Sequence, residues 1–178
     1  MYKISSFLFL FFILSCNAQV KPNDIAITDE VVNYTFEPVA TGIIIPWGMA
    51  QLPDGSLLVT EKSGKLFHVN NKVNTEVKNV PKVYTRGQGG LLDIALHPNY
   101  KNNGWIYMTF SSEGLEGEGG NTKLIRAKLV DDNLTEIQEL YKATPNTTGP
   151  NHFGSRIAFD NEGYIYFSIG ERDKKFEN

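Results

Sequence analysis

SRIAFDNEGYIYFSIGE, residues 155–171, holds two short runs of β-branched and aromatic residues on either side of a polar segment. The runs cover residues 157–159 and 164–169, and the residues between them are Asp160, Asn161, Glu162 and Gly163. Asp, Asn and Gly are residues that turns favour, and a turn between two strand-like runs indicates a β-hairpin. The stretch therefore predicts a pair of antiparallel strands.

Two earlier segments share this layout of strand, turn and strand: WGMAQLPDGSLLVTE (47–61) and LLDIALHPNYKNNGWIYMTF (91–110). The aligned glycines are Gly55, Gly104 and Gly163, and each opens a run of apolar residues that ends in Thr or Ser. Further strands are predicted in GKLFHVNN (64–71) and TKLIRAKLV (122–130). Repeats of roughly 40 to 50 residues with several short strands each are typical of β-propeller blades.

The repeats predict an all-β chain with a partial β-propeller domain in residues 36–178, without an amphipathic helix of ten or more residues. This length holds about three blades, whereas closed propellers have about four to eight. We therefore expect the chain to be a piece of a longer protein.

The N-terminus, MYKISSFLFLFFILSCNAQ (1–19), has one early lysine and an apolar run over residues 4–14. That run is too short to span a bilayer but suits the core of a signal peptide. The single cysteine, Cys16, follows ILS as in a lipobox, which predicts cleavage before Cys16 and acylation of its thiol. The alternative is cleavage after Ala18 and release. We expect an exported protein, either a periplasmic or outer-membrane lipoprotein of a bacterium or a secreted one, with a polar linker over residues 20–35.

The charge pattern excludes one class of partner. The net charge is −3, from 17 basic and 20 acidic residues, and no run of Lys or Arg occurs. An electrostatic footprint for nucleic acid is thus missing, and a membrane is expected as a partner only through the lipid anchor.

The hairpin also brings a histidine towards an acid. If the loop holds two or four residues, the numbers of antiparallel partners sum to 323, so Phe159 faces Tyr164 and His152 faces Glu171. Opposed residues lie close enough for a carboxylate to accept the imidazole N–H. A three-residue loop, or a bulge at Gly154, would shift the register by one and separate the two side chains. With a loop of two or four residues and no bulge, the pair predicts an oriented histidine base.

Two blocks carry a family resemblance: RGQGGLLDIALHPNY (86–100) with NGWIYMTF (103–110), and NHFGSRIAFDNEGYIYFSIGER (151–172). From about Gly42 to the end, the chain resembles the glucose/sorbosone dehydrogenase family, the soluble PQQ-dependent aldose sugar dehydrogenases. The resemblance implies a six-bladed propeller, of which about the first three blades are present here. It also implies PQQ over the central channel, calcium, and an aldose substrate oxidised at C1 to the lactone.

The resemblance assigns roles to five residues. His152 matches the base that takes the proton from the C1 hydroxyl while hydride passes to the quinone, and Glu171 matches the acid that orients it. Gln88 matches a glutamine that faces substrate and cofactor, and Asn151 matches a position that lines the sugar pocket. Arg172 is expected to reach the same pocket.

Other parts of such a site are expected beyond residue 178, namely the calcium ligands and further contacts to the quinone. A quinone with three carboxylates needs several cationic partners, and Arg86, Arg156 and Arg172 are the nearby arginines. We therefore expect the chain to be inactive alone. The sequence does not specify the aldose or the external electron acceptor.

Two other functions stay open. One is a non-enzymatic extracellular binding propeller, which loss of the His/Glu pair would favour. The other is a calcium-dependent lactonase propeller, which needs a ring of acidic and amide ligands, with Glu61 as the single candidate. His68 and His97 are expected to have structural roles.

Overall fold

The computed structural model describes residues 34–115 and 117–174, and from residue 37 onward these belong to one compact unit. The predicted signal peptide with Cys16, and nearly all of the predicted linker, lie outside the described residues and stay predictions. Within the described ranges, no helix has the length and apolar character that a membrane crossing requires.

Three antiparallel sheets account for the fold. The first contains, in spatial and chain order, β1 (Pro46–Gln51), β2 (Leu57–Glu61), β3 (Lys65–Asn70) and β4 (Val73–Glu76). The second contains β5 (Leu91–Leu96), β6 (Trp105–Glu113), β7 (Gly120–Val130) and β8 (Asn133–Lys142). The third pairs β9 (Gly154–Phe159) with β10 (Ile165–Ile169), and a four-residue helix, α1 (Tyr100–Asn103), lies between β5 and β6. The three predicted strand-turn-strand units are confirmed as β1–β2, β5–β6 and β9–β10.

Apolar side chains fill the spaces between successive sheets. Strand β6 contributes side chains to both of these spaces, because its alternate residues point to opposite faces of the sheet. Ile106, Met108 and Phe110 belong to a cluster that also contains Leu58 and Leu66 of the first sheet. Tyr107, between Ile106 and Met108, belongs to a second cluster with Leu124 and Ile157. This cluster joins the second sheet to the third. Burial of these side chains stabilises each sheet against its neighbours.

A buried threonine connects the first sheet to the second. The register of β1 and β2 shifts between Pro46 and Met49, and a backbone N–H at such a bulge loses its ladder partner. The Gly48 N–H donates instead to Thr60 Oγ1 at 2.8 Å. The hydroxyl of Thr60 donates in turn to the carbonyl of Leu92 on β5, at 2.6 Å. Thr60 thus gives the bulge N–H a hydrogen-bond acceptor and joins the two sheets.

The same arrangement recurs one blade later. The Asp93 N–H donates to Thr109 Oγ1 at 3.2 Å, and the Thr109 hydroxyl donates to the carbonyl of Ser155 on β9 at 2.7 Å. Thr60 and Thr109 each stand five residues after one of the aligned glycines of the repeat. Ser168 holds the equivalent place in the third sheet, where it is exposed. The hydroxyls of Thr60 and Thr109, which end the first two apolar runs, therefore link neighbouring sheets.

The carboxylate of Asp93 makes a second connection between the second and third sheets. Asp93 is 3% exposed, and its oxygens accept the Ile157 N–H at 2.7 Å and Arg156 Nη1 at 3.0 Å. A buried carboxylate is tolerated when it is paired and hydrogen-bonded in this way. These bonds fix the position of β9, and with it the segment that carries His152.

The predicted register of the hairpin is wrong near the turn and correct at its open end. The Asp160 N–H donates to the Tyr164 carbonyl, which leaves a three-residue loop over 161–163 and places Phe159 opposite Ile165. A second irregularity, between Phe167 and Ile169, then brings Ile169 opposite Gly154. The loop and the bulge each shift the register by one residue, in opposite senses. Their effects cancel before the chain reaches His152 and Glu171.

Asp160 determines the shape of this loop. Its carboxylate accepts the N–H groups of Glu162 and Tyr164, at 3.0 and 2.8 Å, and the hydroxyl of Tyr166 at 3.1 Å. Lost hydration by itself would raise the pKa of Asp160, but the hydrogen bonds, the one from the Tyr164 N–H first among them, outweigh it and hold the pKa below its ordinary value of 3.8. The ionised carboxylate is therefore favoured in the folded hairpin.

We expect Asp160→Asn to destabilise the protein near neutral pH, with a difference that disappears in acid. Because the pKa is lower in the folded than in the unfolded state, the stabilisation is present above the unfolded value and is lost as pH falls through the folded one. Urea unfolding of wild type and variant, from about pH 7 to about pH 3, measures this. Glu162→Gln in the same loop is the control, and a difference between wild type and Asp160→Asn that stays constant with pH would contradict the prediction.

Candidate active site

His152 and Glu171 lie at the same end of the third sheet. His152 stands two residues before β9, with a left-handed backbone (φ 55°), and Glu171 follows Gly170 at the end of β10. A non-glycine residue in this conformation costs about 1 to 3 kcal/mol and needs its surroundings to hold it. A Cβ atom at position 170 would overlap the carbonyl oxygen of His152, so glycine is required there for the two chain segments to approach.

The side chains of His152 and Glu171 form a hydrogen-bonded pair, as predicted. His152 Nδ1 lies 2.5 Å from Glu171 Oε1, and the two side chains are 42% and 29% exposed. An ionised carboxylate can only accept, so Nδ1 carries the hydrogen and Nε2 keeps its lone pair. The pair therefore leaves a solvent-accessible imidazole with one nitrogen free to accept a proton. The catalytic role of both residues stays a prediction.

Asp173 is a third member of this cluster that sequence reasoning missed. Its Oδ1 lies 3.3 Å from His152 Nδ1. Arg172 and Asp173 both have left-handed backbones, and this tight turn returns the second acid towards the histidine. The only sequence signal is an acid two places after Glu171, which a regular strand would not bring near the ring. Two carboxylate oxygens thus lie beside one nitrogen of the His152 ring.

Among the described residues, the side chains of His152, Glu171 and Asp173 form the group that could hold a metal ion. Their ligand atoms all lie within 4.8 Å of one another. Two ligands of a tetrahedral ion with bonds of about 2.0 to 2.1 Å would be separated by about 3.3 Å. The distance of 2.5 Å between His152 Nδ1 and Glu171 Oε1 is shorter than this. The arrangement is that of a hydrogen-bonded pair.

The glycine-dense loop before β5 places Gln88 against the backbone of the histidine segment. Gln88 Oε1 accepts the His152 N–H at 2.9 Å, and the Gln88 N–H donates to the Pro150 carbonyl at 2.7 Å. Asn151 lies between these two contacts, half-buried, and its side chain makes no hydrogen bond to another described residue. The structure thus brings Gln88 and Asn151 to the predicted base. Their contacts with substrate or cofactor stay predictions.

Arg172 is close by but turns inward. It is 4% exposed, its guanidinium lies 3.4 Å from the ring centroid of Phe153, and Nη2 donates to the Gly149 carbonyl at 2.6 Å. Burial lowers the pKa of Arg172, although nearby Tyr84, Asp173 and Glu171 act in the opposite direction. In this arrangement Arg172 supports the segment beneath the site. Arg172 also lines a cavity with residues 145–149 and 173–174, and its predicted contact with a bound molecule stays a prediction.

The arginines near the site do not suffice for a tricarboxylate quinone. Arg156 is already paired with Asp93, and Arg172 is buried over Phe153. Among the three arginines considered above, Arg86 is the one that is exposed and makes no ion pair to a described residue. A ligand with three carboxylates needs several charge-assisted partners. The described residues therefore supply a base and its acid, but not a complete quinone site.

The residues assigned to other roles are engaged in local contacts. Glu61 is buried, and its oxygens accept the Ile44 N–H at 3.2 Å and the Ser63 hydroxyl at 2.6 Å. The ring of His68 lies between Asp132 and Ser56 Oγ, at 2.6 and 2.8 Å. His97 contacts its own turn through Asn99 and Asn103. These contacts agree with structural roles for both histidines and occupy the carboxylate of the single candidate lactonase ligand.

Comparison with known proteins points to one family. A sequence profile described as Glucose / Sorbosone dehydrogenase matches residues 43–178. Aldose sugar dehydrogenase YliI of Escherichia coli (strain K12) is 33% identical over 135 residues, which are 73% of this chain and 36% of the relative. Quinoprotein glucose dehydrogenase B of Acinetobacter calcoaceticus is 28% identical over 153 residues, 80% of this chain and 32% of the relative.

A solved structure agrees with the sequence comparisons. The PQQ-bound form of aldose sugar dehydrogenase from Streptomyces coelicolor superimposes with a TM-score of 0.69 at 32% identity, and the match covers 79% of this chain and 42% of that one. The predicted propeller fold is thereby confirmed, with two four-stranded blades and the first two strands of a third. The chain spans about a third of the length of the curated relatives it matches.

Proposed function

This chain belongs to the glucose/sorbosone dehydrogenase family, and we propose that the protein containing it oxidises an aldose sugar at C1 to the lactone, with PQQ as cofactor. The observation that carries the proposal is the hydrogen bond between His152 Nδ1 and Glu171 Oε1 at 2.5 Å. A base for alcohol oxidation needs an accessible nitrogen and a fixed tautomer, and this contact provides both.

The proposed chemistry of this chain is a single proton transfer. His152 Nε2 takes the proton of the C1 hydroxyl as hydride leaves C1, and the ring becomes an imidazolium. Glu171 and Asp173, at 2.5 and 3.3 Å from Nδ1, stabilise the positive charge. General base catalysis of this kind contributes about 10² to 10⁴ in rate.

Bound PQQ would supply the acceptor for the hydride. Because the arginines among the described residues are too few for its carboxylates, most of its contacts, and any calcium site, are expected in the remainder of the protein. This chain would contribute the general base and the acids beside it. It is expected to be inactive alone.

A cavity adjoins Asp173, the third member of the cluster, although His152 and Glu171 do not line it. This cavity of about 570 Å³ opens between residues 145–149 and 172–174, and Asp173 forms part of its wall. This volume lies within the range of about 300 to 1,000 Å³ for small-molecule sites. A binding propeller without catalysis would not need a histidine with a fixed tautomer at this position, so we favour the dehydrogenase.

The test is dye-linked oxidation of a panel of aldoses by the whole protein, produced by extending the reading frame past Asn178. With PQQ and calcium added, we expect turnover of at least one aldose and none without PQQ, with residues 34–178 alone as an inactive control. If the whole protein is folded and binds PQQ yet oxidises no aldose, the proposal is wrong and a binding propeller is favoured.

A further inference from the structure

We propose that Gln88 is a positioning residue for the base: its side-chain oxygen holds the backbone of His152 in the conformation that directs the ring to Glu171. The inference rests on the proposed function only in that His152 is the base. It assigns Gln88 a role through the histidine, in addition to the contact with substrate and cofactor expected from the family resemblance.

The backbone of His152 needs an external contact to stay where it is. Its φ of 55° is a conformation that residues with a Cβ atom rarely adopt. On the carbonyl side, the Arg172 N–H donates at 3.3 Å, which is long for a hydrogen bond. On the amide side, Gln88 Oε1 accepts at 2.9 Å. The contact with Gln88 is therefore the shorter of the two hydrogen bonds that hold the backbone of His152.

Gln88 is itself held firmly enough to act as an anchor. Its own N–H donates to the Pro150 carbonyl at 2.7 Å, so its backbone and its side chain bind the chain on both sides of Asn151. At Gly87 a Cβ atom would overlap the Pro150 carbonyl, which shows how closely the two loops approach. The loop before the second blade and the segment before the third are thus joined by two hydrogen bonds.

The hydrogen bond also fixes which end of the amide faces the histidine. A backbone N–H can only donate, so Oε1 must point to it and the NH₂ group must point away. Gln88 is exposed, and its NH₂ group has no hydrogen-bond partner among the described residues. The oxygen therefore positions the base, while the NH₂ group is available to donate to a sugar oxygen.

Two substitutions separate these roles in the whole protein. Gln88→Glu keeps an acceptor for the His152 N–H but removes the NH₂ donor, whereas Gln88→Met has similar length and offers neither. If Gln88 positions the base, kcat falls by about 10- to 10²-fold in Gln88→Met, and Gln88→Glu recovers most of kcat with a raised KM. A rise in KM alone, equal in both variants, would overturn the proposal.

A second readout does not depend on activity. With ¹⁵N-histidine labelling, exchange of the His152 amide hydrogen is expected to accelerate at least about tenfold in Gln88→Met and to stay near the wild-type rate in Gln88→Glu. Unchanged exchange in Gln88→Met would refute the positioning role. This measurement needs neither sugar nor quinone, so the positioning role can be tested even if no aldose is oxidised.

Discussion

Replacing His152 with alanine in the whole protein is expected to lower kcat for aldose oxidation by at least about 10²-fold, the low end for loss of a general base. The variant keeps the fold because the His152 side chain is exposed and its acidic partners, Glu171 and Asp173, lie at the open end of the sheet. KM should change far less than kcat, since the proton is transferred only in the transition state.

Glu171→Gln should lower kcat in the same direction but less than His152→Ala does. An amide can still accept from Nδ1–H, but it lacks the charge that stabilises the imidazolium, and Asp173 compensates in part at 3.3 Å. The double variant should be no slower than His152→Ala, because residues that act as a unit are not additive. Steady-state kinetics of the two single variants and the double variant measures this.

Glu162→Gln is the matched control for this series, because it removes an acid from the same hairpin at its opposite end. We expect wild-type kcat and KM. Equal thermal unfolding of all variants would exclude loss of fold as the cause. If His152→Ala keeps more than about a tenth of wild-type kcat, the residue is not the base.

The second large effect concerns stability. Thr109→Val keeps the shape of the side chain but removes the hydroxyl that joins the second sheet to the third. Two buried groups then lose their partner, the Asp93 N–H and the Ser155 carbonyl. Each unpaired buried group costs about 1 to 3 kcal/mol, so we expect the free energy of unfolding to fall by at least about 2 kcal/mol. Denaturant unfolding measures this directly.

Thr60→Val should give a similar loss, because Thr60 holds the Gly48 N–H and the Leu92 carbonyl in the same way. Ser168→Ala is the matched control at the third position of the repeat. Its side chain is exposed and makes no hydrogen bond to another described residue, so a change within about 0.5 kcal/mol is expected. Equal losses in Thr109→Val and Ser168→Ala would show that the bridging hydrogen bonds contribute nothing measurable.

The strands and their repeat can be predicted from the sequence. Strand-turn-strand units are encoded locally, by apolar runs next to turn residues, and the glycines Gly55, Gly104 and Gly163 mark their recurrence. The pairing of His152 with Glu171 was also predicted, although the register near the turn was wrong. The pairing is correct because a three-residue loop and a bulge, each considered alone as a cause of separation, occur together and shift the register in opposite senses.

How the units join, and which residues surround the base, depends on the packing of the sheets. Thr60 and Thr109 connect neighbouring sheets through a hydrogen bond to a carbonyl 32 or 46 residues further along the chain. Gln88 reaches the His152 amide across 64 residues, and Asp173 reaches the ring through a left-handed turn. Local propensity acts over a few residues, whereas these contacts depend on how whole blades pack and where each loop ends. Their chemistry is visible in the sequence, but their partners are not.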